Sequence, residues 1–443
     1  MSDQLLRRWY NAFDPLLPAD DSQYADTFIA RGDFHFAESL RRRLIRSDRS
    51  VHYLFSGHIG GGKSSELKHT AKVLRGAESD RFFPIYLDAS QYLDSNDAKP
   101  VDLLLAIVTR VGETLFEDAE TLRDLSDSKV EHSVKNLVGI LRELRIEAVE
   151  FDFKLAKFKL APTVVDREAR LRVREALQPR LTSVLEAVNE TLAEARSWVR
   201  SRQFKDIVLL IDSLDKVLRV PDKSEGLASY QAFFVTEAAT LTGIEAHKVI
   251  TVPLVLVRTE GMALRMLYGE PPHVLPLIKV RNRDGSVYSP GYDALRRLVE
   301  QRLGPRHRTD ELLTDEALEY LSRYSGGHPR SFLIFVQQSL DFVETIPFGA
   351  ETARKGLRST NASLNIHPTW WKKLAELERS EDKQIDQDDS DTQRMLDQLL
   401  IMEYRNGQGL EGFDHDKPWF AVNPLVTGFS EFQREIQGDA GTG

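Results

Sequence analysis

The sequence predicts an α/β protein with a parallel sheet, a large helical insertion, a helical lid and a small winged-helix-like C-terminal domain. Three observations lead to this fold class. Short apolar runs alternate with helical patterns along the first two thirds of the chain, as in a parallel sheet. A glycine-rich segment joins the first apolar run to a helical pattern. Further on, helical patterns follow one another until two short apolar runs near the C-terminus.

The composition is that of an ordinary globular protein. The chain has 443 residues, of which 41% are hydrophobic and 29% are charged, and its length predicts two to four domains. Its 59 Lys+Arg and 68 Asp+Glu give a net charge of −9, which argues against charge-driven nucleic-acid binding. The absence of Cys excludes disulfide scaffolds, zinc ribbons, iron–sulfur sites and thiol catalysis, and makes the cytoplasm the expected location. The apolar runs are too short for a membrane span.

Five apolar runs are the strand candidates: 51–56, 82–90, 205–212, 248–253 and 273–280. Helical patterns separate them at 64–75, 101–118, about 226–240 and 254–269. In the third run, 207–211 has five consecutive apolar residues, which predicts a strand covered on both faces.

An unusually long segment, 91–204, separates the second strand candidate from the third. Most of it has a helical pattern, and 166–200 reads as a long charged helix interrupted at Pro179. By contrast, 151–160 alternates apolar and polar residues, which predicts a strand or hairpin. The segment is either a packing insertion on the α/β core or an arm that docks a partner.

The predicted domains follow from these patterns. Residues 1–290 form the α/β core with its insertion, and residues 291–360 form a helical lid. Residues 361–443 contain two helical patterns and two short strand candidates, which is the outline of a winged helix. Within this last domain, 381–391 has six acidic residues and one apolar residue, so it is interpreted as a solvated linker.

The glycine-rich segment matches the pattern GxxxxGK[ST] at residues 57–64, between a strand candidate and a helical pattern. Glycines let backbone N–H groups turn inward around an anion, and the following helix adds its positive end. Lys63 is suited to phosphate oxygens, and the Ser64 hydroxyl, next to Ser65, is a hard ligand for Mg²⁺. The predicted phosphate-binding loop consists of Gly57, His58, Ile59, Gly60, Gly61 and Gly62.

Carboxylates follow the most apolar strand candidate. Asp212 stands where that strand leaves the sheet, in the position of an acid that holds Mg²⁺ through water. Asp215 lies three residues later and is interpreted either as the group that polarises the attacking water or as a partner for Lys216 or an arginine.

The chain resembles the AAA+/STAND superclass of P-loop ATPases, near its origin-recognition-like and bacterial STAND-type branches. The resemblance is carried by four segments: SGHIGGGKSSEL (56–67), IVLLIDSLDK (207–216), VITVP (249–253) and SGGHPRSFL (325–333). It implies ATP and Mg²⁺ as cofactors. It also implies a γ-phosphate sensor at Thr251 and, in the lid motif, a phosphate contact by Arg330 after Pro329. Ser213 stands where many related ATPases have Glu, which weakens the expectation of efficient hydrolysis.

Several arginines are candidates for contacts with the nucleotide or with a neighbouring molecule. The resemblance places adenine contacts near Phe28–Asp33, including Arg31, and it implies an arginine from a neighbouring protomer, for which the sequence offers many candidates, Arg302 among them. A second group is interpreted as a solvated helix face, with a neighbouring subunit's acidic patch or nucleic acid as alternatives. This group consists of Arg41, Arg42, Arg43, Arg46 and Arg49.

The leading hypothesis is an ATPase that acts as a nucleotide-dependent oligomerisation or partner-binding switch. Its expected partners are a second copy of the chain, a separate effector protein, or both. The resemblance suggests bacterial stress or anti-phage defence as the setting. The first alternative is a DNA-handling ATPase of the initiator or transposition-regulator type, with nucleic acid as the less favoured partner. The second is a nucleotide-binding scaffold with little hydrolysis.

Overall fold

The computed structural model describes residues 3–15, 31, 35–94, 98–118, 150–152, 157–159, 174–175, 177–218, 226–361, 364, 366–405 and 417–438. No helix within these ranges is both long enough and apolar enough to cross a membrane.

The strands are β1 (His52–Ser56), β2 (Phe83–Asp88), β3 (Glu150–Asp152), β4 (Lys157–Lys159), β5 (Ile207–Asp212), β6 (His247–Thr251), β7 (His273–Val274), β8 (Ile401–Tyr404) and β9 (Trp419–Val422). Among the described residues, the helices begin with α1 (Asp3–Ala12), α2 (Phe36–Arg46), α3 (Lys63–Gly76), α4 (Pro100–Asp118), α5 (Leu181–Ser201), α6 (Leu214–Val217), α7 (Gly226–Gln231), α8 (Ala238–Thr242) and α9 (Leu254–Tyr268). The others are α10 (Ser289–Leu303), α11 (Thr309–Leu312), α12 (Asp315–Ser325), α13 (Pro329–Leu340), α14 (Ala350–Asn361), α15 (Trp370–Arg379), α16 (Ser390–Asp397) and α17 (Ser430–Gly438).

The chain divides into two compact units. The sheet unit consists of Phe36–Ser56 and Glu66–His273, and the helical unit consists of Met1–His35, Gly57–Ser65 and Val274–Gly443. The glycine-rich loop is therefore part of the helical unit.

The sheet unit confirms the predicted α/β class with a parallel sheet. Among the described residues, its largest sheet has five strands in the order β2-β5-β6-β1-β7, and β5 pairs in parallel with both β2 and β6. Each residue of β5 (Ile207–Asp212) is at most 2% exposed, because the sheet has side chains packed on both faces. In this register Asp88 lies opposite Asp212, so two carboxyl groups end neighbouring strands.

One part of the predicted strand pattern differs in detail and another agrees. The candidate at 273–280 forms only the two residues of β7, and Pro276 lies in the segment without regular secondary structure that follows. Proline lacks an N–H for the ladder, so the segment cannot pair along its whole length. In the alternating segment, the described residues belong to the strand pair of β3 and β4, which are antiparallel, as the period of two predicts.

The helical unit has one large apolar core, built mainly from α10, α12, α13 and α14. Leu295, Leu321, Phe332 and Phe335 are fully buried in it. The N-terminal helix α1 contributes Trp9 to the same core, followed by Phe13 just beyond the helix. The polar start of the chain therefore packs on the helices between Ser289 and Asn361.

The last part of the helical unit contains a strand pair, because β8 is antiparallel to β9. The two predicted helical patterns beside it form α15 and α16. The acidic segment 381–391 is mostly exposed, but two of its carboxylates bind one cation: Lys373 Nζ lies 2.8 Å from Asp389 and 3.0 Å from Asp391. Asp389 also caps α16 by accepting from the N–H of Thr392.

Candidate functional site

The glycine-rich loop has a backbone that side chains would disturb. Gly57, Gly60 and Gly62 have φ angles of +146°, +81° and +100°, in the region that favours glycine. A Cβ atom on Gly60 would lie 2.9 Å from the imidazole of His328. The pattern therefore reflects both the conformation of the loop and the close approach of another element.

Lys63 begins α3 and bends back over the loop. The residue is 4% exposed, and its ammonium donates to the carbonyls of Gly57, at 2.7 Å, and His58, at 3.0 Å. Ser64 and Ser65 follow in the first helical turn, where both are partly buried. An ammonium, two hydroxyls and the positive end of a helix thus lie together at the loop.

Arg31 contacts the loop through its guanidinium. Its guanidinium donates to the carbonyls of Gly61 and Pro276. A Cβ atom on Gly62 would lie 2.5 Å from Arg31 Nη2, so this approach depends on the glycine. The remainder of the proposed adenine motif, at 28–30 and 32–33, lies outside the described residues.

The lid motif touches the loop at two consecutive residues. His328 is 3% exposed and caps α13, where its Nδ1 accepts from the N–H of Ser331. Its Nε2 donates to the Ile59 carbonyl at 2.9 Å. Burial lowers the pKa of His328 to about 4, so the ring is neutral near pH 7 and carries its proton on Nε2.

Pro329 and Arg330 continue the motif into the first turn of α13. The backbone N–H of Arg330 approaches the Gly60 carbonyl at 3.4 Å, and the Arg330 side chain is partly buried. The start of α13 is therefore placed beside the loop by its backbone, with a guanidinium on the same turn.

The strand β8 reaches the loop through His58. This side chain is 4% exposed, and its Nε2 accepts from the backbone N–H of Glu403 at 2.9 Å. Next to it, the Tyr404 hydroxyl donates to the Gly326 carbonyl at 2.6 Å. Nothing in the sequence marks Glu403 or Tyr404 as part of the site, because a backbone donor and a core tyrosine leave no distinct signal in one sequence.

Asp212 ends β5 in the sheet unit and is 1% exposed. Its Oδ1 accepts from the N–H of Ser213 at 2.7 Å, and its Oδ2 accepts from the Tyr86 hydroxyl at 2.6 Å. Ser213 has φ +64°, an uncommon conformation for a non-glycine residue, which turns the chain out of the sheet. Sequence reasoning missed Tyr86.

Thr251 and Asp215 follow neighbouring strands, Thr251 at the end of β6 and Asp215 just after β5. Thr251 is fully buried at the end of β6, and its hydroxyl accepts from the N–H of Leu214 at 3.1 Å. Asp215 is 1% exposed in the short helix α6. The predicted site residues thus form two groups. The helical unit contains the loop, Lys63, Arg31 and the lid motif, and the sheet unit contains Asp212, Asp215 and Thr251.

Several arginines that the sequence suggests for contacts with other molecules form hydrogen bonds or ion pairs within the chain. Arg302 is 5% exposed, and its Nη1 donates to the Ala12 carbonyl at 3.2 Å, so it is not presented to a neighbouring protomer. In the basic group, four of whose five arginines lie on α2, Arg43 pairs with Glu270, and Arg41 donates to the Ser79 carbonyl at 2.7 Å.

Within the described ranges, no cluster of three or more His, Asp or Glu side chains is arranged to hold a metal ion on its own. Mg²⁺ commonly binds through one or two protein oxygens plus phosphates and water. The Asp212 carboxylate fits this mode, because each of its oxygens accepts one hydrogen bond and retains a second lone pair.

No protein-family model matches the chain, and no curated protein matches it. Among solved structures, the chain is similar to Cdc6p from Pyrobaculum aerophilum at 12% sequence identity. The alignment covers 95% of this chain and 98% of that chain, with a TM-score of 0.35.

Proposed function

We propose that this chain is an ATPase that binds ATP with Mg²⁺ at the loop 57–62 and uses the bound nucleotide as a switch. One observation carries this proposal. Three consecutive loop residues accept hydrogen bonds from β8 and from the start of α13, which belong to the same helical unit. Glu403 donates to His58, His328 donates to Ile59, and the Arg330 N–H approaches Gly60. A ligand that rearranges the loop backbone therefore acts directly on the lid and on β8.

The loop has the chemistry for a nucleotide phosphate. Its backbone N–H groups and the start of α3 favour an anion. The Lys63 ammonium binds two neutral carbonyls, and a charged phosphate oxygen would bind it more strongly than they do. Arg330 would add a second cation from the lid, and Arg31, which already contacts the loop at Gly61, would add a third.

Asp212 and the Ser64 hydroxyl are the proposed oxygen ligands of Mg²⁺. Both are hard oxygen donors of the kind that this ion prefers. When bound, the ion would neutralise charge that develops on the β- and γ-phosphates. Thr251 is the proposed sensor of the γ-phosphate, and its hydroxyl is already ordered by the bond from Leu214.

Asp215 is the proposed base that orients the attacking water. Ser213 occupies the position directly after Asp212, so the acid of many related ATPases is missing there. We therefore propose slow turnover, which suits a switch better than a motor. A scaffold that binds nucleotide without hydrolysis is the limiting case of the same proposal.

The proposed output is a change in self-association or in the grip on a separate effector protein. A cytoplasmic role in bacterial stress or anti-phage defence is the setting that the family resemblance suggests. The proposed domains, 1–290, 291–360 and 361–443, assign the nucleotide response to the lid and the C-terminal domain.

The test is calorimetric titration of the purified chain with Mg-ATP. We expect one binding event in the wild type and its loss in Lys63→Ala. Lys72→Ala, which removes an exposed lysine from the same helix, is the matched control and should bind normally. A wild type that takes up no nucleotide would overturn the proposal.

The strand pair β8–β9 with its neighbouring helices favours one second candidate, a DNA-handling ATPase. The net charge of −9 is against it. A mobility-shift assay with duplex DNA at low and moderate salt separates the candidates. Retardation that weakens steeply with salt supports DNA handling, and unchanged mobility at low salt excludes it.

A further inference from the structure

A tyrosine of the sheet unit contacts the carboxylate that the proposed function assigns to Mg²⁺. The Tyr86 hydroxyl donates to Asp212 Oδ2 at 2.6 Å, a short bond to a charged acceptor. In the parallel register, Tyr86 of β2 lies opposite Leu210 of β5. Its side chain therefore reaches across to β5 and two residues further along that strand, to Asp212.

This contact completes a two-sided hold on the carboxylate. The N–H of Ser213 binds Oδ1 at 2.7 Å while Tyr86 binds Oδ2, so the two donors fix both side-chain torsions of Asp212. Each oxygen keeps one lone pair for a metal-bound water or a metal. A carboxylate already held in one orientation loses less freedom when it binds an ion.

Tyr86 is itself fixed in place. Arg110 Nε donates to the Tyr86 carbonyl at 2.9 Å, and Lys68 Nζ lies 5.2 Å from the centroid of its ring. Its neighbours Ile85 and Leu87 are buried in the core. The hydroxyl is thus held by the sheet at the point where β5 ends.

We propose that Tyr86 is a positioning residue that orients Asp212 for Mg²⁺. The inference rests on the proposed function, because it assigns a role in the same site. If the hydrogen bond of Tyr86 were only structural, its loss would lower stability but would leave the metal dependence unchanged. The two roles therefore predict different measurements.

The experiment compares Tyr86→Phe with Tyr92→Phe. Tyr92 is a matched control, because its hydroxyl donates to Glu113 Oε2 at 2.5 Å in the same unit. Calorimetry gives ATP affinity with EDTA and over a range of Mg²⁺ concentrations, and circular dichroism checks folding. We expect Tyr86→Phe to bind ATP normally in EDTA and to need about 10- to 100-fold more Mg²⁺ for the metal-dependent gain in affinity. Tyr92→Phe should match the wild type.

A double-mutant cycle separates positioning from a general structural effect. In an Asp212→Asn background, Tyr86→Phe should produce no further change in Mg²⁺ dependence, because the carboxylate is gone. An unchanged Mg²⁺ requirement in Tyr86→Phe, or an equal shift in both backgrounds, would overturn the inference while leaving ATP binding established. A wild type that binds no ATP would overturn the proposed function and this inference together.

Discussion

His58 of the glycine-rich loop accepts a hydrogen bond from the backbone N–H of Glu403, at 2.9 Å between Nε2 and N. An accepting Nε2 carries no proton, so this ring is neutral with its proton on Nδ1. Both residues are at most 4% exposed. The bond joins the loop to β8 without using the side chain of Glu403, and it is the structural basis of the proposed switch.

The first prediction concerns this bond. His58→Ala leaves the buried N–H of Glu403 without its acceptor, which costs about 1–3 kcal/mol of unfolding free energy. We also expect faster hydrogen exchange at the Glu403 amide. His367→Ala is the control, because His367 is exposed in the helical unit, and it should change stability by less than about 0.5 kcal/mol. Equal exchange at Glu403 in wild type and His58→Ala would show that the bond does not hold β8.

The second prediction separates a hydrolysing switch from a scaffold. Asp215→Asn keeps the shape of a side chain that is 1% exposed but removes its charge. If Asp215 is the base, phosphate release falls by about 10²- to 10⁴-fold while ATP affinity changes little. Asp310→Asn, at an exposed position of the helical unit, is the control. Wild-type protein without detectable phosphate release would favour the scaffold.

The third prediction is a pH dependence of stability. Lys248 is 1% exposed, its ammonium donates to the Ile244 carbonyl at 2.6 Å, and burial lowers its pKa to about 7. Between pH 7 and the usual lysine pKa near 10.5, the unfolded chain binds more protons than the folded chain. The free energy of unfolding should therefore rise with pH in this window, by up to about 1.4 kcal/mol per unit.

Urea unfolding at pH 7, 8 and 9 measures this slope, below the range in which tyrosines titrate. Lys248→Met removes the buried ammonium, so the slope should flatten and stability at pH 7 should be equal or higher. Lys205→Met is the control, because Lys205 pairs with Asp80 at the surface. A slope that survives in Lys248→Met would assign the pH dependence to other groups.

The fourth prediction concerns the lid motif. Gly327 has φ +73°, and a Cβ atom there would lie 1.7 Å from the Ile278 carbonyl oxygen. Gly327→Ala combines backbone strain with this clash, so we expect a loss of at least about 2 kcal/mol in unfolding free energy. Gly349→Ala is the matched control, since no atom would lie within 4 Å of its Cβ. Thermal unfolding of both variants checks the difference, and equal stability would contradict it.

The sequence predicts the sheet and the loop well, because their signals are local. Five apolar residues before Asp212 indicate a buried strand, and the glycines before Lys63 indicate a turn with positive φ angles. The β7 segment is shorter than its apolar pattern, because pairing along a strand needs N–H groups and a neighbour, which composition does not encode.

The contacts around the loop could not be predicted in the same way. Glu403 uses a backbone N–H, which almost every residue has, so nothing in the sequence marks it as a donor to His58. Tyr86 reads as one more aromatic residue in an apolar run until the register places it beside Asp212. Likewise, Trp9 lies in a polar helix whose burial depends on helices about 300 positions away.

Hydrogen exchange at the backbone amides of β8 and β9, with and without Mg-ATP, tests the central claim most directly. Because β8 is bonded to the loop at His58, ATP binding should change exchange at Glu403 in the wild type but not in Lys63→Ala. If the wild type binds Mg-ATP by calorimetry while exchange in both strands stays the same, the loop does not communicate with the C-terminal domain and the nucleotide switch is contradicted.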